Sequence, residues 1–411
     1  IGTGPRAQIR TGRVASDRII EQRWHQWCDQ IHLARKLRTA VMARVTDGEV
    51  FMQRGDNPRL QRSRIEQTVT LDIQLVECDR FENMSSAWID EKHVSGIRFD
   101  RFGNPVEYDL LEYHPGDTFG AIRQSSPVDA DDIIHLFRSD RPGQIRGVSE
   151  LTPAIPLFAK LRRYTLAVIM AAEVAADHAA VLSTQAPPLT EDGEFDGDDV
   201  DPFDAVEIDR GMMVSLPRGW RMDQFKPEQP TTTYEMFRNA ILAEIARCLC
   251  VPFNVALGSS EGYNYASGQL DHGSFDDRNR IERKDLAIEV LDRIFGWWLD
   301  EASLIEGYLP PIETGQQITA RWYWPGRTHG DPVKQANAVS KLRADGLMTD
   351  EAYLLGEGID PEEHHEQRIR QAQREAELLA ISGPAATESV SRTESSDRQP
   401  ANTRAQATAA A

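Results

Sequence analysis

The stretch Thr231–Gly268, TTTYEMFRNAILAEIARCLCVPFNVALGSSEGYNYASG, runs an amphipathic helix into a Val-Pro stop, a glycine-rich loop and the start of a second long helix. Phe237, Ile241, Ile245 and Leu249 fall on one face of a helix over 233–250. Pro252 stops it, since the residue before a proline is driven out of the helical region. Beyond Gly268 the helical pattern resumes from about Gln269 to Glu306, charged at first (DDRNRIERKD) and apolar later (VLDRIFGWWL), with Gly273 and Gly296 as candidate kinks.

Working upstream, residues 150–182 read as a long Ala-rich helix whose prolines sit only near its start. Its proline-free part, Leu157 to Leu182, extends roughly 39 Å at the usual rise. Its second half is apolar or Ala on nearly every side, so neighbours on more than one face are expected. Between the two helices lies Ser183–Arg210, acidic and rich in Gly and Pro, followed by a short β-like piece, Met212–Leu216. Residues 19–45 have helical spacing, with Trp24, Trp27, Ile31 and Leu37 on one stripe. From Glu49 to about His114 the period shortens to two (Val69, Leu71, Ile73, Leu75), with hairpin chemistry at Gly103-Asn104-Pro105, and Ile133–Phe137 is a further strand. Downstream come a strand over 318–324, two short helices closing at Gly346 and Gly356, and a polar helix from Pro361 to Ile381. Residues 383–411 hold one Val and no Leu, Ile or aromatic, so disorder is expected there. The whole reads as α+β.

Composition excludes several classes. At 411 residues and 40% apolar content the chain can bury a core in two or three domains. Its longest apolar run, Leu166–Ala172, is far short of the roughly 18 residues a membrane span needs. The basic first thirty residues lack a hydrophobic block, so no secretory signal is read and synthesis in the cytoplasm is expected. The chain starts at Ile1 rather than Met, which leaves open whether the native N-terminus is present. Cys28, Cys78, Cys248 and Cys250 follow no framework spacing and are expected as free, mostly buried thiols. A net charge of −19 argues against a protein that grips nucleic acid, although residues 1–70 are locally basic.

Several motifs compete. Gly258-Ser259-Ser260-Glu261-Gly262 matches G-x-S-x-G, giving a serine-hydrolase reading with Ser260 as nucleophile and His272 or His329 as base. A nucleophile elbow needs a buried strand before it, and only Val255-Ala256-Leu257 offers one. His364-His365-Glu366 and Asp271-His272 lack metal-ligand spacing, and the acidic block Glu191–Asp209 lacks the alternation of a calcium loop. No metal or cofactor is expected. Ala338–Gly356 imitates a helix-turn-helix, but its second helix opens on Asp350 and Glu351. No phosphate-binding glycine loop occurs, so the chain is not expected to burn ATP.

Four stretches, in order, resemble the lambda-type family of phage portal proteins: Asp132–Pro153 (DIIHLFRSDRPGQIRGVSELTP), Gly211–Gly258, Tyr263–Gly268 (YNYASG) and Trp324–Arg368 with its GDPVKQANAVSKLRADGLMTDEAYLLGEGIDPEEHHEQR. RWHQWCDQ and GIRFDRFGNPVEY fit as well, so the likeness spans about 19–380. One departure is Gln269, where the family's Asn-Tyr-Ser-Ser-x-Arg run carries arginine.

The resemblance implies a portal fold: an N-terminal helix and β-rich wing (1–149), a first stem helix (150–182), a clip (183–232) and a second stem helix (233–250). A channel loop, long kinked helix and wing return (251–332), a helical crown (333–382) and a disordered tail (383–411) complete it. Against that pattern, the helices that precede position 1 in the family are expected to be absent or shortened here. About twelve copies form a ring at the portal vertex of the capsid in the virion, through which double-stranded DNA passes without sequence specificity during packaging and ejection. The terminase motor docks on the clip, where Glu191, Asp192, Glu194, Asp196, Asp198 and Asp199 are the candidate contacts, and head-completion and head-tail adaptor proteins follow. The major capsid protein surrounds the ring, no membrane is involved, and no catalysis is implied. Ser259, Ser260, Glu261, Tyr263, Asn264 and Tyr265 are the candidate channel-lining residues. The other readings are the serine hydrolase and a scaffold or adaptor without a channel.

Overall fold

The computed structural model describes residues 1–61, 68–81, 93–118, 124–177, 181–184, 220–223, 231–259, 261–262, 264–311, 318–326 and 332–382. Along the chain these form β1 (Arg6–Arg10), α1 (Val14–Gln30), α2 (Leu33–Asp47), β2 (Glu49–Asp56), β3 (Leu71–Val76), β4 (His93–Val94), β5 (Ile97–Phe99), β6 (Pro105–Leu111), β7 (Ser125–Asp129) and β8 (Ile133–Phe137). Then follow α3 (Ile155–Asp177), β9 (Val181–Thr184), β10 (Trp220–Asp223), α4 (Thr231–Cys248), α5 (Phe253–Leu257), α6 (Tyr265–Leu286), a π turn (Ala287–Leu291), α7 (Asp292–Leu304), β11 (Thr319–Tyr323), α8 (Pro332–Ala344), α9 (Asp350–Gly356) and α10 (Pro361–Ser382). The fold mixes helix and sheet. It divides into two compact units, one of Ile1–Arg38, Gly55–Ile73 and Leu291–Ala411, the other of Thr39–Arg54 and Gln74–Val290.

The first unit is built on indole rings. Helix α1 buries Ile20, Trp24 and Trp27, and α7 buries Ile294, Phe295, Trp297 and Trp298. Trp24 meets Phe295 and Trp298 edge-on at 5.2 and 5.3 Å, a geometry that sets each ring's positive edge on its neighbour's negative face. Trp27 Nε1 donates to Leu71 O (2.9 Å), and Trp322 Nε1 to Asp292 Oδ1 (2.7 Å). Trp322 itself lies on β11, which pairs antiparallel with β1 from Arg6↔Tyr323 to Arg10↔Thr319. The single helix read over 19–45 is two: α1 ends at Gln30 and α2 starts at Leu33. Between them His32 adopts φ 55, the left-handed turn that ends a helix and redirects the chain.

In the second unit, β2 pairs antiparallel with β8, Glu49 opposite Phe137, and β4 to β7 form an antiparallel meander in chain order. The β5–β6 turn is locked by Asp100, whose Oδ1 accepts from Phe102 N and Asn104 N at 2.8 Å each, while Gly103 takes φ 86. Phe51, Val76, Phe81, Ile97, Tyr108, Leu110 and Ile133 make its sheet core. Helices α3 and α4 pack together: Leu157 and Leu161 lie against Ile241 and Ile245, and Tyr164 stacks on Tyr234.

Two further points differ from the sequence reading. The helix read to Leu182 is recorded to Asp177, and Val181 already lies in β9, because it pairs with Asp223 of β10 some forty residues away. In the long helix the irregularity is the π turn at Ala287–Leu291, whereas Gly273 and Gly296 both lie inside regular helix. The expected β-like piece at 212–216 and the tail at 383–411 lie outside the described residues.

Candidate functional site

The end of α4 is wound shut. Cys250 takes φ 50 and Val251 N donates back to Ala246 O (2.9 Å), the left-handed closure that satisfies a helix's last carbonyls. Pro252 then caps α5, which ends on Gly258 at φ 70, where any side chain is strained, with Ser259 N donating to Asn254 O (3.2 Å). Glu261 N donates to Ser259 Oγ (3.2 Å), and Asn264 O accepts from Gly268 N (3.0 Å) as α6 begins. The described residues of the glycine-rich stretch, Gly258, Ser259, Glu261, Gly262 and Asn264, therefore lie between α5 and α6.

Of the candidate channel residues, Ser259 is half-buried, Glu261 and Asn264 are exposed, and Tyr265 is the first residue of α6 rather than part of a loop. Ser260 and Tyr263 lie outside the described residues, as do Glu191, Asp192, Glu194, Asp196, Asp198 and Asp199 of the acidic block. The nucleophile elbow lacks its strand: Val255, Ala256 and Leu257 belong to helix α5. His272 Nε2 stands 3.4 Å from Asn254 Nδ2, and His329 is outside the described residues. Among the described residues no three His, Cys, Asp or Glu are grouped to hold a metal ion, and no helix is long and apolar enough to cross a membrane. The four cysteines are free, but Cys250 is exposed and the others half-buried, because Cys250 sits on the outward turn after α4.

At the end of α4 lies a charged cluster that nothing in the local sequence announces. Glu150, 6% exposed, accepts on Oε1 from Arg44 Nη2 of α2 (3.2 Å). Its Oε2 faces Arg138 Nη1 (3.2 Å) and Arg278 Nη2 of α6 (2.5 Å). Glu282, one turn beyond Arg278, also pairs with Arg44, and Arg278 Nη1 donates to Leu249 O at the end of α4. Charges this well buried persist only when paired and hydrogen-bonded on most sides.

A second buried carboxylate braces the sheets. Glu49 accepts from His135 Nε2 (2.9 Å), Arg146 Nη2 (2.5 Å) and Gly147 N (2.7 Å). Burial alone raises its carboxyl, but the hydrogen bonds from His135, Arg146 and Gly147 outweigh that and hold it at about 2. Desolvation pushes His135 down, toward the neutral ring that stacks on Phe51 at 4.2 Å. Gly147 must be glycine: a Cβ there meets Gly48 O at 2.1 Å.

The outer side of the helix pair carries exposed apolar side chains among charged ones such as Arg162. On α3, Ile155, Phe158, Leu166, Ile169 and Met170 are 43–63% exposed, on the side turned from α4. Met236 of α4 is exposed likewise.

Residues 1–283 match the family model described as phage portal protein, lambda family. The chain belongs to that family. Among solved structures it is similar to a chain of the neck of a native GTA particle computed with C12 symmetry, at 16% identity and TM-score 0.43, covering 78% of this chain and 79% of that one. It is similar too to a chain of a native gene transfer agent virion (15% identity, TM-score 0.39, 76% of each chain). A third is in the neck of an empty GTA particle computed with C6 symmetry (16%, 0.39, 76% and 75%). No curated protein matches.

Proposed function

We propose that this chain is the portal subunit of a tailed-phage or phage-like particle, assembled as a ring of about twelve copies at the capsid vertex and acting as the conduit for double-stranded DNA. The match of residues 1–283 to the lambda portal family carries the reading. The outer faces of α3 and α4 support the ring. Exposed apolar side chains grouped on α3, with Met236 on α4, call for a partner, and a head-to-tail contact between two different surfaces of the chain closes into a ring when repeated by rotation. The net charge of −19 suits a wall along which a phosphate backbone slides.

The chain works by conformation rather than catalysis, with no cofactor. The connection around Ser259, Ser260, Glu261, Tyr263, Asn264 and Tyr265 faces the channel. The terminase motor docks on the acidic excursion carrying Glu191, Asp192, Glu194, Asp196, Asp198 and Asp199, and head-completion and adaptor proteins replace it after packaging. The major capsid protein holds the ring in the virion. Native mass spectrometry with electron-microscopy class averages tests this. A closed ring near twelve copies of 46.2 kDa with an axial hole is expected. A stable monomer or dimer, in conditions that preserve rings, removes the reading.

A further inference from the structure

Arg278 holds two things at once. One arm of its guanidinium reaches the buried carboxylate of Glu150, at the foot of α3, and the other reaches the Leu249 carbonyl that ends α4. Arg278 lies thirteen residues into α6, about 20 Å from the turn at which the Gly258–Asn264 connection enters that helix. The same side chain therefore ties α6 to the end of α4, the two longer helices on either side of α5 and the Gly258–Asn264 connection.

The surroundings make this tie sensitive to one charge. Arg44, Arg138 and Arg278 share the Glu150 carboxylate, with Glu282 as the second acid of the cluster. Neutralising Glu150 leaves three guanidiniums around an uncharged group: Arg138 is the most exposed and keeps Asp140 as a partner, whereas Arg278, more enclosed, loses the acid that ties α6 to the foot of α3. A planar fork that pairs a carboxylate and a carbonyl at fixed angles is not replaced by lysine's single ammonium. Buried ion pairs add little net stability over apolar packing, and one of their uses is to select a single arrangement of elements. Beyond Glu282, α6 passes into the π turn at Ala287–Leu291, an irregularity frequent at functional sites.

We propose that Arg278 and Glu150 are positioning residues for the Gly258–Asn264 connection: their pair fixes α6 against the end of α4, and opening it releases the connection and the first turns of α6 while leaving the sheets of the unit in place. What the connection does once released rests on the portal reading; the tie itself does not.

Hydrogen exchange read by mass spectrometry on the full chain tests it, with Glu150→Gln, Arg278→Lys and, as a control that touches the same carboxylate without touching α6, Arg138→Gln. Exchange over 250–282 is expected to rise at least tenfold in Glu150→Gln and Arg278→Lys, with β5–β7 unchanged and Arg138→Gln like the parent. Unchanged exchange over 250–282 in Arg278→Lys overturns the proposal. So does an equal rise in α6 and the sheets, which makes the pair a general support; should Glu150→Gln fail to fold, Arg278→Lys decides alone. Ring mass is read on the same samples, so local release in a chain that forms no ring upholds the tie and removes only the portal reading.

Discussion

The aromatic cluster of the first unit and the charged cluster of the second hold their elements by opposite means. Trp24, Trp27, Phe295 and Trp298 pack by area and ring geometry, and two of their indole N–H groups, on Trp24 and Trp298, have no hydrogen-bond partner among the described residues. Around Glu150 and Glu49 nearly every polar atom is spoken for, by groups that must sit at set angles. An aromatic core tolerates small shifts because dispersion and burial are non-directional. A buried ion cluster does not, because a lost partner leaves a charge in a poor medium. The first kind gives stability; the second fixes a conformation and makes it responsive to single charges.

The largest break is expected on the aromatic side. Trp298→Ala removes a fully buried indole and should cost about 3–5 kcal/mol in denaturant titration. A loss below 1 kcal/mol means the unit refills the space, and the packing account is wrong. Next is Glu49. Its folded carboxyl lies at about 2, below its unfolded value, so its contribution is present above the ordinary carboxylate range and fades as pH falls from about 5 toward 2. His135, held down by burial, adds in the same direction, since the unfolded ring takes up a proton first as pH drops below its usual range. Glu49→Gln should cost about 2–3 kcal/mol near neutrality and flatten the decline of melting temperature between pH 5 and 3. An unchanged slope assigns acid sensitivity elsewhere.

A third substitution sharpens the contrast between inner and outer apolar surface. Ile169→Arg, on the outer face of α3, should leave the stability of the single chain within about 0.5 kcal/mol while abolishing higher assembly in native mass spectrometry. Intact rings would show that this face is not a subunit contact. The smallest effect concerns Glu21 on α1. Burial pushes its carboxyl up to about 7, against the opposing hydrogen bond from Ile9 N. A raised folded value means stability is lost as pH climbs from the ordinary carboxylate range through 7. Glu21→Gln keeps an acceptor for Ile9 and should raise the melting temperature at pH 8 but not at pH 4. A gain equal at both would point to removal of nearby repulsion instead.

Much of the skeleton was legible because it obeys local periodicity. Phe237, Ile241 and Ile245 mark α4 at helical spacing, Pro252 sits at its stop, and Asp100 to Pro105 announce the hairpin between β5 and β6 by turn chemistry alone. Where two strands meet across the chain the signal fails. The five residues of β1 are polar at alternate places and find β11 more than three hundred positions later. Likewise Val181 reads as helix until its pairing with Asp223 makes it strand. The break at His32 was hidden because both sides keep helical spacing and only a backbone angle divides them. The connection at Gly258–Asn264 could be located from its glycines, but not the arginine that ties α6 to the end of α4, since Arg278 looks like any charge on a solvated helix.

By itself, then, the sequence determined the family, the order and type of most elements, the acidic balance and the place of the glycine-rich connection, because these follow from composition, spacing and backbone preference within about one helix length. The tertiary structure alone decided that Glu150 and Glu49 are buried and that Arg44, Arg138, Arg146 and Arg278 turn inward to meet them. It also decided which face of α3 is left without cover. The reason is physical: burial and ion pairing depend on groups brought together from distant parts of the chain, and no local pattern records which charge will meet which.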